Sequence, residues 1–149
     1  MSRPSRREVL RLGASLGATS LAGCSALSFS EKRLTVTLLN FDSRSHTLLL
    51  ELLRTDSDET VFRNRFRLNT PADGKAAFER QRTGVVESRE YRVRASLQDA
   101  DVERRYRFYP NSDCSGGDES DELVVEIHGR DDDAGPSVEF LRNGTIRCN

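Results

Sequence analysis

Few side chains in this 149-residue sequence are equipped for chemistry, and their spacing narrows what that chemistry could be. The sulfur and imidazole groups are Cys24, Cys114, Cys148, His46 and His128. A blue-copper centre needs two histidines and a cysteine, usually with an axial methionine. Here His128 follows Cys114 by 14 residues, and the only methionine is Met1. That spacing argues against copper, and a solvated His128, on the same parity as Val124 and Glu126, is the simpler reading. Carboxylates are denser. Asp113, Asp118, Glu119, Asp121 and Glu122 surround Gly116 and Gly117, and Asp131-Asp132-Asp133 sits in a later turn. Such oxygen ligands could hold calcium, but their order fits no EF-hand loop, and acidic loops are usually just solvated. Gly-x-Ser-x-Gly occurs once, at Gly13-Ala14-Ser15-Leu16-Gly17 inside the apolar N-terminal stretch, and nowhere in residues 24–149. No catalytic residue, metal ligand or cofactor is therefore assigned, and no enzymatic activity is expected.

Arginine forms the most regular pattern. Arg63, Arg65 and Arg67 alternate, as do Arg92 with Arg94 and Arg105 with Arg107. On neighbouring strands these would make a basic face able to bind an anionic glycan or an acidic partner protein. The plainer expectation is that they pair with cross-strand Glu and Asp and keep a sheet face soluble. Asn143-Gly144-Thr145 fits an N-glycosylation acceptor at Asn143.

The elements that would carry these residues are short and apolar on alternate positions. Leu34, Val36 and Leu38 alternate with Thr35 and Thr37, a half-buried strand. His46 to Leu53 reads as a second strand, folded back on the first as a hairpin through the polar 40–45 turn. Val61 to Leu68 places Phe62, Phe66 and Leu68 on one parity and arginines on the other. Pro71-Ala72-Asp73-Gly74 is a turn, and Lys75 to Arg80, with Phe78 alone as a large apolar residue, suits an edge strand. Tyr91 to Leu97 and Val102 to Tyr109 form a hairpin around residues 98–101, with Tyr106 and Phe108 inward. A polar loop over 110–121 precedes strands at Leu123–Ile127 and Val138–Phe140. Asn143-Gly144 is a hairpin signal that would deliver Ile146 and Cys148 as a last strand. About eight short strands without a convincing helix predict an all-β, antiparallel β-sandwich.

The N-terminus is of a different kind. Ser5-Arg6-Arg7-Glu8-Val9-Leu10 precedes an apolar stretch of about 11 residues, Leu12 to Ala22, and then Leu21-Ala22-Gly23-Cys24. A spanning helix needs about 20 apolar residues, so this stretch is too short to cross a membrane. A basic start, a brief apolar middle and a small-residue end make a signal peptide. The alternative is a short amphipathic helix of the mature protein. Arg6 and Arg7 resemble the twin-arginine export motif, Ser-Arg-Arg-x-φ-Leu, and Leu21 to Cys24 resembles a lipobox. The resemblance implies cleavage before Cys24 and a diacylglyceryl group on its sulfur, since a thiol can carry a thioether. Two chains hold a protein stably at a membrane where one is marginal.

Residues 1–23 are then a removed signal peptide, 24–32 a tether and 33–149 the domain. Cleavage leaves 19 basic and 23 acidic residues, a net charge of about −4, which makes nucleic acid an unfavourable partner. Lys32 and Lys75 are the only lysines. This arginine bias with many aspartates resembles small exported lipoproteins of salt-loving archaea, and Tyr91 to Ala95 resembles a core strand of immunoglobulin-like or transthyretin-like domains. With Cys24 assigned to lipid, Cys114 and Cys148 remain to pair in an oxidising compartment. Closing that loop of about 35 residues would contribute about 4 kcal/mol in the chain-entropy model. The expected protein is a lipid-anchored module on the outer face of the cytoplasmic membrane, with a structural or accessory role. The alternative is a surface module that binds an anionic glycan or a partner protein through the arginines, or calcium through the acidic loops.

Overall fold

The computed structural model describes residues 32–110, 121–129 and 135–142. These contain eight strands and no helix. The strands are β1 (Arg33–Asn40), β2 (His46–Arg54), β3 (Thr60–Leu68), β4 (Phe78–Glu87), β5 (Tyr91–Leu97), β6 (Val102–Phe108), β7 (Glu122–His128) and β8 (Ser137–Arg142). They form two four-stranded sheets, ordered β4-β1-β7-β8 and β3-β2-β5-β6. The all-β, two-sheet architecture matches the expectation from alternation. Cys24, Cys114, Cys148, Arg6, Arg7, Asn143 and the strand expected at Ile146–Cys148 lie outside the described residues.

One core joins the two sheets. Leu34, Val36, Leu38, Leu123, Val125 and Ile127 meet Leu48, Leu50, Leu52, Phe66, Val93 and Ala95 in a single apolar cluster. Each set shares a parity, because successive side chains of a strand point to opposite faces. Tyr106 of β6 stacks on Phe140 of β8 at 5.0 Å, bringing the two sheets together near their edges. At the head of β5, Tyr91 is buried and donates its hydroxyl to the Glu87 carbonyl at 2.8 Å. Burial pushes that phenol above its ordinary value, with Glu87 adding to the rise.

Three details correct the sequence reading. β1 and β2 are not a hairpin. β1 pairs with β4 and β7, while β2 pairs with β3 and β5, so residues 41–45 carry the chain from one sheet to the other. Both strands bury the same kind of apolar parity, which suits facing sheets as well as it suits a hairpin. The sheets are also not wholly antiparallel, because β1 runs parallel to β7. Finally, the fourth strand is Phe78–Glu87 instead of Lys75–Arg80. As an edge strand it is largely exposed and lacks alternation. Its register on β1 breaks between Leu34 and Val36. Gly84 lies in the opposing gap with φ 63°, and its carbonyl accepts the Arg33 guanidinium at 2.8 Å.

Candidate functional site

Strand order does bring the arginine rows onto one surface. Arg63, Arg65 and Arg67 of β3, Arg92 and Arg94 of β5, and Arg105 and Arg107 of β6 share the outward parity of the β3-β2-β5-β6 sheet. β2 runs between them and contributes Glu51. The register aligns Arg63, Glu51, Arg94 and Arg105 across all four strands. Glu51 accepts Arg63 at 3.3 Å and Arg94 at 3.4 Å. Glu103 takes Arg105 at 2.8 Å and Arg94 at 3.8 Å. Arg92 pairs with Asp58 and Arg107 with Glu90 beyond the strand ends. The Glu90 carboxylate raises the pKa of Arg107. Among the described residues, Arg65 and Arg67 form no ion pair. Cross-strand pairing is thus real but incomplete: Glu51 and Glu103 are the only carboxylates on this strand face, against seven arginines.

Within the face, Leu53, Arg92, Arg94, Arg105 and Arg107 line a depression of about 330 Å³, which also touches Val93 and Tyr106 of the inward parity. Tyr109, one step beyond β6 on the same parity, is 45% exposed with the Arg107 guanidinium 5.5 Å over its ring. Guanidinium groups recognise carboxylate, sulfate or phosphate through paired donors in a fixed fork.

A second polar cluster, unforeseen from the sequence, occupies the corner where β1 crosses to β2. His46 is 4% exposed and lies between two carboxylates. Its Nε2 is 2.8 Å from Asp42 Oδ2 and its Nδ1 is 2.6 Å from Asp99 Oδ2. A ring protonated on both nitrogens donates to both acids. The other oxygen of Asp42 accepts the Arg44 amide at 3.2 Å, and that of Asp99 accepts the Thr47 amide at 2.8 Å. Burial pushes both carboxyls up, but the bonds from His46 and these amides outweigh it and hold each below the ordinary value.

The corner is built from local turn chemistry. Asn40, fully buried, donates to the carbonyls of Arg44 and Asn69 at 2.9 and 2.8 Å and accepts the Asp42 amide at 3.1 Å. Asn and Asp favour such bonds to nearby backbone. Asp42 also lies against Gly129, where an added Cβ would stand 2.7 Å from its Oδ1, so the close approach requires glycine. The usable sequence signal was parity: His46 shares the phase of Leu48, Leu50 and Leu52, which all bury. His128 behaves more nearly as expected, partly exposed, bonded to Glu126 at 2.9 Å and stacked on Phe41 at 4.8 Å.

Of the acidic-loop carboxylates, Asp121 and Glu122 are described. They accept the hydroxyls of Ser88 and Thr37, tying β7 to its neighbours. Asp113, Asp118, Glu119 and Asp131 to Asp133 lie outside the described residues. Among the described residues, no group of three or more His, Cys, Asp or Glu is placed to hold a metal ion. Against known proteins, the sequence matches no family model and no curated relative.

Proposed function

We propose that this chain is an exported, lipid-anchored cell-surface β-sandwich with a structural or accessory role and no catalysis. One observation carries the non-catalytic part. The imidazole of the buried His46 is fully engaged: both its nitrogens are taken by carboxylates, and the second oxygen of each carboxylate accepts a backbone amide. A general base needs a free lone pair within reach of a substrate proton, and this cluster spends its bonding capacity fastening one end of the sandwich. The Tyr91 hydroxyl bonded to the Glu87 carbonyl supports an immunoglobulin-like type, since those sandwiches use a buried tyrosine bonded back to upstream backbone.

The anchor rests on the export motif at Arg6 and Arg7 and on the lipobox ending in Cys24. Changing Cys24→Ser is expected to release the protein into the medium or leave the precursor uncut, read by membrane fractionation and mass. A variant that stays processed and membrane-bound like the wild type would overturn the lipoprotein assignment.

A further inference from the structure

We propose that the depression between β5 and β6 binds an acidic polysaccharide, with Arg92, Arg94, Arg105 and Arg107 holding sugar carboxylates over a floor that includes Leu53. The strand register sets Arg92 directly opposite Arg107 and Arg94 directly opposite Arg105. Like charges in directly opposed positions destabilise a sheet, and here two such pairs stand side by side. Glu51 and Glu103 offset the Arg94–Arg105 pair in part, Glu51 being shared with Arg63, while Asp58 and Glu90 reach Arg92 and Arg107 from beyond the strand ends. An anion seated among the four guanidinium groups would relieve that repulsion directly.

Charge complementarity is local. The mature chain is net acidic by about four charges, yet this face gathers seven arginines. A compact basic patch on an acidic body repels other anions elsewhere and orients a polyanion toward one surface. The side chains are accessible, with Arg105 74% and Arg107 60% exposed. The volume of about 330 Å³ is at the small end for ligand sites, so it suits a short segment of a polymer lying along the sheet.

The apolar groups select the class of anion. Leu53 lies among the arginines, and Tyr109 presents an exposed ring beside Arg107. A uronic acid ring offers an apolar C–H face to such groups and a carboxylate to the guanidinium fork. An acidic peptide brings its carboxylates on flexible stems, at a greater ordering cost, and leaves the apolar floor uncovered.

The test uses purified full-length protein, with polygalacturonate as probe and neutral dextran and poly-L-glutamate as comparisons. Polygalacturonate should bind in a salt-sensitive manner, and dextran should not bind. The double variant Arg105→Glu with Arg107→Glu should weaken binding about 100-fold, roughly tenfold for each charge-assisted contact. The variant Lys75→Glu with Arg82→Glu makes the same change in net charge on exposed residues away from this face, and should alter binding by less than about threefold. Both variants should keep the wild-type unfolding midpoint within a few degrees. Failure of polygalacturonate to bind, equal loss in the two variants, or poly-L-glutamate binding as tightly as polygalacturonate would each overturn the proposal. Membrane anchoring through Cys24 is read by fractionation, so the two proposals fail independently.

Discussion

The arginine face and the His46 corner are built from the same ingredients in mirrored order. On the face, one carboxylate, Glu51, sits between two cations, Arg63 and Arg94, at 3.3 and 3.4 Å. In the corner, one imidazole, His46, sits between two carboxylates, Asp42 and Asp99, at 2.8 and 2.6 Å. The difference is water. The Arg63 and Arg94 side chains are 66% and 38% exposed, whereas those of His46 and Asp42 are 3% and 4% exposed, with Asp99 alone of the three corner residues reaching water at 40%. An exposed pair is screened and contributes little, while removing one partner of a buried pair strands a charge in a poor dielectric. The corner therefore acts on the stability of the fold, and the face is left to interact with what lies outside it.

The sharpest way to break that comparison is Asp42→Ala. It should cost about 3 kcal/mol in urea unfolding at neutral pH, because His46 loses one carboxylate and the turn loses its acceptor. A loss below about 1 kcal/mol would mean that the corner is no stronger than the face.

Acid should act next. Asp42 and Asp99 sit below the ordinary carboxylate value of 3.8. The folded protein thus binds these protons less readily than the unfolded chain does. The stability they contribute is present above the ordinary value and is lost as pH falls through the lower folded values. Urea midpoints measured from about pH 5 down to about pH 2 should fall less steeply in Asp99→Asn than in the wild type. Parallel curves for the two proteins would detach Asp99 from this behaviour.

The smallest effect belongs to the face. Arg63→Ala should cost less than about 1 kcal/mol, and the difference should shrink further in about 1 M salt. A salt-independent loss as large as that of Asp42→Ala would erase the distinction between the two regions.

Legibility in the sequence followed the same divide. Tyr91–Leu97 was readable to the residue, because Tyr91, Val93, Ala95 and Leu97 bury while Arg92 stays exposed. The arginine rows were equally readable, since parity alone sends Arg63, Arg65 and Arg67 away from Phe66 and Leu68. β4 was misplaced because an edge strand, buried on neither face, carries little periodic signal. The His46 corner was missed because its partners, Asp42 and Asp99, are 4 and 53 residues away. Separations of that kind have no local pattern, and a polar turn reads the same whether its side chains face water or one another.

By itself the sequence determined the fold class and the parity of each regular strand, and it carries around Arg6, Arg7 and Cys24 the strings on which the proposed export and lipidation rest, because all of these depend on neighbours within a few residues. Only the tertiary structure decided that β1 and β2 belong to different sheets, that β1 runs parallel to β7, and that β2 lies between β3 and β5 with Glu51 among the arginines. Alternation says which face of a strand is apolar. It does not say which strand lies beside it, and that choice rests on packing and backbone pairing between segments distant in the chain.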